Sequence, residues 1–294
     1  MLVTGASGFI GRHLVTLLER SGWIVRRSPR RELASEATHR DALQGAEAVV
    51  HLAAIAHDRA LACERARDYE SLRRVNVLGA ERLAREAAGA GVRHFVFMSS
   101  IGVCGDETEG TPFTEETPPA PRSLYARSKL EAEQALSALA TTRRLGLTML
   151  RPTLVYGADN GGNMLRLLKA IHGRLPLPLG AVRNRRHLTY IGNLTSAIAA
   201  ALQRGPAGTL VICDAQAVST PELIAALAKG MGRRALLFPA PAALLNFLRR
   251  SDTVRRLTGS LEADCSKAQR VLGWTPQVSA SDGLERTGAW FASQ

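Results

Sequence analysis

Three glycines spaced three residues apart, Gly5, Gly8 and Gly11, directly follow a short apolar run and open a segment with helical periodicity. A strand that turns sharply into a helix needs a residue without a Cβ at the turn. A second is needed where a phosphate meets the backbone, and a third where the helix packs on the strand. The N-terminus of the helix then faces an anion. Such spacing is also met by an ordinary glycine-rich turn, so the rest of the chain decides how it is read.

Short β-rich runs alternate with apolar-periodic helices through the first 155 residues, the pattern of a parallel sheet covered by helices. Strands are expected at 1–3, 23–26, 48–51, 94–99 and 147–151, and helices at 11–21, 69–90 and 125–140. Beyond Tyr156 the alternation loosens and Gly161, Gly162, Pro176, Pro178 and Gly180 gather; strand character returns at 188–191 and 209–213. The fold class is therefore α/β: a Rossmann doubly wound parallel sheet with a smaller, interwoven C-terminal substrate-binding domain. Residues 1–155 and 187–213 are assigned to dinucleotide binding, and 156–186 and 214–294 to the substrate.

Tyr125 and Lys129 lie four residues apart in the third helix, about 25 residues after Ser99-Ser100. Positions i and i+4 share a helix face, so phenol and ammonium project into one site. A phenol is a poor base at neutral pH, and a neighbouring cation favours its ionised form. Together with the glycine loop, the pair points to nicotinamide-dependent chemistry on an alcohol or ketone.

Composition removes other classes. The net charge is +12, yet the arginines are scattered in short pairs (26–27, 73–74, 143–144, 233–234, 249–250, 255–256), with no basic stripe interleaved with aromatics. Nucleic acid is not expected as a partner; a positive field suits small anionic substrates. No apolar run approaches the roughly 20 residues of a membrane span, and the glycine loop leaves no room before it for a signal peptide, so a cytoplasmic enzyme is expected. So short a lead also suggests a clipped or misassigned start. Cys63, Cys104, Cys213 and Cys265 lack metal or CxxC spacing, so reduced thiols and no metal are expected. His51 and His57 have no metal-like partners, and His51 reads as a buried, hydrogen-bonded residue at a strand end.

The second strand ends in Val25-Arg26-Arg27-Ser28, where NAD binders carry an acid for the adenosine ribose. Arginine there suits a 2′-phosphate, so NADP(H) is favoured, with NAD(H) left open. The two arginines read equally as solvated surface charges, with the acid supplied elsewhere, for example by Glu36.

TGASGFIG at 4–11, His51-Leu52-Ala53-Ala54, Asn76, Met98-Ser99-Ser100, Tyr125-x-x-x-Lys129 and Arg151-Pro152-x-x-Val155-Tyr156-Gly157 together resemble the extended short-chain dehydrogenase/reductases, the NAD(P)-dependent nucleotide-sugar epimerases, dehydratases and reductases. Residues 184–194 and Asp264-x-Ser266-Lys267 with Leu272-Gly273-Trp274-x-Pro276 extend the resemblance nearly end to end. It implies a cofactor site of Gly5, Ser7, Gly8, Phe9, Ile10, Gly11, Arg26, Arg27, Leu52, Ala53, Ala54, Asn76, Tyr125, Lys129 and Pro152. Ser100, Tyr125 and Lys129 are the implied catalytic residues, and Ser100, Asn163 and Arg186 the implied contacts to a UDP-linked sugar. A homodimer is implied through the segments 69–90 and 125–140.

Ser99 to Gly105, Asn184-Arg185-Arg186 and Cys213-Asp214 with the segment 219–223 resemble more narrowly the bacterial 4-ketoreductases and 4-epimerases that make UDP-N-acetyl-quinovosamine and similar deoxysugars for O-antigen. Cys104 departs from the tyrosine of many relatives, and His187 and Asn193 from acidic or aromatic residues, which leaves the sugar open. A 4-ketoreductase is expected. A 4-epimerase with tightly bound NAD and a non-catalytic dinucleotide-binding regulator are the alternatives.

Overall fold

Short β-branched and aromatic runs pair edge to edge, each joined to the next in the main sheet through a helix, so the pairing is parallel throughout. The computed structural model describes residues 1–28, 39–55, 66–240 and 252–294; Glu36, His57, Cys63 and the pair at 249–250 lie outside the described residues. The strands are β1 (Leu2–Thr4), β2 (Arg26–Arg27), β3 (Ala48–His51), β4 (His94–Met98), β5 (Gly146–Pro152), β6 (Leu154–Tyr156), β7 (Leu188–Tyr190) and β8 (Gly208–Ile212). Six of them form one sheet in the order β2-β1-β3-β4-β5-β8, every neighbouring pair parallel. The chain reverses its direction of winding between β1 and β3, and a ligand crevice opens outside the carboxyl ends of strands at such a switch point.

The helices are α1 (Phe9–Arg20), α2 (Arg40–Leu43), α3 (Ala66–Arg73), α4 (Gly79–Gly89), α5 (Leu124–Arg143), α6 (Gly162–His172), α7 (Ile191–Arg204), α8 (Thr220–Gly230), α9 (Asp252–Thr258), α10 (Ser266–Leu272) and α11 (Ala280–Ala292), and the main sheet is covered on both faces. Alternate strand residues serve opposite faces. Leu2, Val49, Phe95 and Phe97 pack with Ala80 and Leu83 of α4 and Leu136 of α5. Val3, Val50, Val96 and Leu150 pack with Leu14 and Leu18 of α1 and Leu194 and Ile198 of α7.

Three sequence expectations are corrected. The first strand is Leu2–Thr4 rather than 1–3. The second contracts from 23–26 to Arg26–Arg27, because Trp23 and Val25 contribute side chains to the core before ladder pairing begins. The expected helix 69–90 begins at Ala66 and is broken by a π turn, Arg74–Leu78, between α3 and α4. Sequence periodicity cannot show one inserted residue in a helix that otherwise keeps its apolar face.

After β5 the chain builds a second core: Tyr156, Met164, Leu168, Leu188, Ile224, Leu227 and Leu284 bring α6, α8 and α11 onto the two-stranded parallel sheet β6-β7. Asp214, fully buried just after β8, is its polar hinge. It accepts hydrogen bonds from the Tyr156 hydroxyl (3.0 Å), the Tyr190 N–H (2.9 Å) and Asn193 Nδ2 (2.8 Å). Asn193 therefore serves packing. Its Oδ1 also accepts from the backbone of Gln277 and Val278.

Candidate active site

The glycine loop closes onto the end of β3. Gly5 has φ +69°, and a Cβ there would lie 2.8 Å from the Ala53 nitrogen; at Gly11 it would lie 2.2 Å from the Gly5 carbonyl oxygen. Neither position has room for a side chain. Gly8 begins α1 with no side-chain cap and no acid in the first turn, which leaves the positive end of the helix to the loop. Ser7 is exposed and Phe9 and Ile10 are half-buried beside it, while Leu52, Ala53 and Ala54 form the facing wall. A dinucleotide pyrophosphate suits this cradle: backbone donors at a helix N-terminus, and glycines where a Cβ would collide.

The candidate catalytic side chains come from α5 and the end of β4. Ser123 caps α5 by accepting from the Ala126 N–H (3.1 Å), which sets Tyr125 in the first turn and Lys129 one turn on. Lys129 is 2% exposed; its Nζ donates to the Met98 carbonyl (2.7 Å) and sits 4.6 Å above the Phe97 ring and 5.9 Å from the Tyr125 ring centre. Ser100, half-buried just beyond β4, accepts from the Gly102 N–H (3.1 Å) and so keeps its hydroxyl proton for another acceptor. Ser99 beside it is buried, and its Oγ has no hydrogen-bond partner among the described residues.

The electrostatics differ from the sequence expectation. Burial pushes the Tyr125 phenol up to about 12, and burial holds the Lys129 ammonium down to about 7 against the opposing pull of Glu133. In the ligand-free chain desolvation outweighs the cation at Tyr125, so the phenol stays protonated at neutral pH.

Asn76 lies in the π turn and is buried. Its Oδ1 accepts from the Ile55 N–H (2.8 Å), and its Nδ2 donates to the Ile55 carbonyl (3.2 Å) and to Ser128 Oγ (3.0 Å). Ser128 in turn donates to the Tyr125 carbonyl (2.8 Å). His51 is buried and hydrogen-bonded, as its sequence position suggests: Nδ1 meets Thr4 Oγ1 at 2.7 Å and the ring stacks on Phe97. The Ala53 N–H donates to the same Thr4 oxygen (3.4 Å), so Thr4 ties the ends of β1 and β3 together under the glycine loop. Thr4 opens the glycine motif and Ser128 precedes Lys129, but the sequence assigns neither of them a role of its own. A lone hydroxyl carries no periodic signal, and only the register of β1 against β3 brings Thr4 to His51.

The remaining candidates make their contacts elsewhere in the fold. Pro152 ends β5, buried, in register with Ile212. Arg26 reaches the carbonyls of Ala42 and Gln44, and Arg27 pairs with Glu19 at 2.8 Å, so both arginines already hold protein partners. Arg186 donates to the Gly259 carbonyl (2.7 Å), and burial lowers its guanidinium to about 10. Asn163 stands in the first turn of α6 and accepts from Arg166 (3.2 Å). Cys104, Cys213 and Cys265 are buried free thiols.

Residues 1–213 match the NAD dependent epimerase/dehydratase family, and the chain belongs to it. It is 33% identical to the UDP-glucose 4-epimerase of Vibrio cholerae, over 99% of this chain and 95% of that one. A 4-epimerase of Escherichia coli O157:H7 that acts on N-acetyl-α-D-glucosaminyl-diphospho-ditrans,octacis-undecaprenol is 26% identical over 98% and 93%. Among solved structures, the UDP-glucose 4-epimerase of Thermus thermophilus in complex with NAD superposes with a TM-score of 0.80 at 25% identity, covering 100% of this chain and 99% of that one. The chain is thus an NAD-dependent enzyme of the nucleotide-sugar epimerase/dehydratase type.

Proposed function

We propose that the chain is an NAD(P)-dependent oxidoreductase acting at C4 of a UDP-linked sugar, reducing a UDP-4-keto-6-deoxy-N-acetylhexosamine. The observation that carries this is Tyr125 and Lys129 on one face of α5, with Ser100 at the end of the neighbouring β4. The Gly5–Gly8–Gly11 cradle and Leu52, Ala53 and Ala54, with Pro152 and Asn76 at its border, would hold the dinucleotide, which when bound would supply hydride for the sugar C4.

Tyr125 donates the proton that the C4 oxygen needs as hydride arrives, and burial favours this direction by keeping the phenol protonated. Ser100, whose oxygen already accepts from Gly102, donates a hydrogen bond to the same C4 oxygen and stabilises its developing charge while keeping its own proton. Lys129 binds the nicotinamide ribose and its charge stabilises the phenolate left after proton transfer. Residues 156–186 and 214–294 enclose the nucleotide sugar, with Arg186 on the pyrophosphate and Asn163 on the sugar. Arg26 and Arg27 select NADPH by exchanging their present partners for a 2′-phosphate.

A second reading, a 4-epimerase that retains NAD, is favoured by the full-length similarity to the Vibrio cholerae enzyme. The two readings separate in one cuvette. Purified protein mixed with NADPH and the UDP-4-keto sugar should lose nicotinamide absorbance, and Tyr125→Phe should not. No loss with the keto sugar, together with conversion of UDP-glucose by protein carrying its own NAD, would replace the reductase by the epimerase.

A further inference from the structure

The chain has 38 basic residues, and only four are lysines: Lys129, Lys169, Lys229 and Lys267. Lys129 is the buried one, and its ammonium has given up most of its hydration for one carbonyl and one aromatic face. A cation so placed reverts to the neutral amine unless a negative charge lies near.

One turn further along the same helix face stands Glu133, 3% exposed. Tyr125, Lys129 and Glu133 thus form an i, i+4, i+8 row running inward from the active site. Both carboxylate oxygens of Glu133 are held by Arg151 of β5, Oε1 by Nε at 2.9 Å and Oε2 by an Nη at 2.6 Å. The other Nη of Arg151 reaches Cys104 Sγ at 3.6 Å. The other groups around Lys129 are few among the described residues. From β3 comes the His51 ring, neutral because burial lowers it to about 3. From β4 come only the Phe97 ring and the Met98 carbonyl; α5 itself adds the protonated Tyr125. Among the described residues, Glu133 is the group that raises the proton affinity of the Lys129 amine.

A buried ion pair is commonly no more stabilising than apolar residues of the same volume. Its place behind the site calls for another reason. We propose that Glu133 is a positioning residue of the active site: clamped bidentately by Arg151 one turn beyond Lys129 on the same helix face, its carboxylate favours the cationic form of Lys129 beside Tyr125. This rests on Tyr125 and Lys129 acting as proposed for the reductase, and it adds an electrostatic support that runs from β5 through α5 towards the reacting phenol.

The test is direct titration of the Lys129 ammonium in the ligand-free protein, labelled with 15N-lysine; four lysines give four signals, and Lys129→Met assigns the relevant one. Glu133→Gln should make Lys129 titrate about one pH unit lower than in the native protein. Arg151→Met, which leaves the carboxylate unshared, should move it higher. Opposite signs from two variants that both break the same contact are not produced by loss of packing. If either single variant fails to fold, Glu133→Gln/Arg151→Met removes both buried charges together, and Lys129 should again titrate lower. An unchanged midpoint, or a rise with Glu133→Gln, overturns the proposal. The titration needs no substrate, so failure of every nucleotide sugar to react would sink the functional reading and leave this result standing.

Discussion

Asn76 Nδ2 lies 3.0 Å from Ser128 Oγ, and this contact joins the π turn between α3 and α4 to the helix that carries Tyr125 and Lys129. Through the two Ile55 contacts of the same side chain, the segment just beyond β3 and the helix that carries Tyr125 and Lys129 share one polar anchor.

Asn76→Ala leaves the Ile55 N–H and carbonyl without that anchor. An unsatisfied buried polar group costs about 1–3 kcal/mol, so a fall of that size in unfolding free energy is expected. The dinucleotide should also bind more weakly, as read by titration of nicotinamide fluorescence. Loss of stability with cofactor affinity intact would place Asn76 outside the cofactor wall.

Gly11→Ala forces a methyl onto the Gly5 carbonyl, 2.2 Å away. Overpacking of this kind costs about 1–3 kcal/mol and opens the loop from α1. Dinucleotide affinity should fall by about tenfold or more, the equivalent of roughly 1.4 kcal/mol, while far-ultraviolet circular dichroism stays native. Affinity equal to the parent's would show that the cradle is not where the pyrophosphate sits.

Tyr125→Phe removes only a hydroxyl, so the fold should persist. Turnover should fall by about 10²–10⁴, the usual contribution of a positioned general acid. A variant turning over at nearly the parent's rate would remove Tyr125 from proton transfer.

Stability should decline as pH falls below neutrality. Burial lowers the His51 ring to about 3 and the His94 ring to about 4, so the folded chain keeps both neutral while the unfolded chain protonates them near 6.5. The unfolded state therefore binds more protons below 6.5. The stability contributed by the neutral rings is complete above that pH and is lost as pH falls towards 4 and 3, at about 1.4 kcal/mol per pH unit for each ring. Denaturant midpoints at pH 7, 6 and 5 measure this, and His94→Gln should flatten the slope. A midpoint constant from 7 to 5 would contradict the burial of both rings.

The parallel sheet, the glycine cradle and the Tyr125–Lys129 face are legible in sequence because each carries a local pattern: β-rich runs alternating with apolar-periodic helices, a spacing of three in the loop and of four on a helix. What depends on a single residue's partner across the fold is not. The π turn that places Asn76, the Thr4–His51 contact and the Arg151 clamp on Glu133 join residues 47 and 18 positions apart in the last two cases, and no local pattern marks them. The electrostatics of Tyr125 escape the sequence for a related reason. The i+4 cation is visible there, and the desolvation that outweighs it is a property of the packed site.

The central claim is hydride transfer to C4 from an exchangeable cofactor. NADPH deuterated at the transferring nicotinamide carbon, supplied with the UDP-4-keto-6-deoxy-N-acetylhexosamine, tests it most directly. Deuterium at C4 of the product, one per NADPH consumed and absent with Tyr125→Phe, is the predicted result. A C4 epimer formed from UDP-glucose with no label from added cofactor, and no product from the keto sugar, would contradict it.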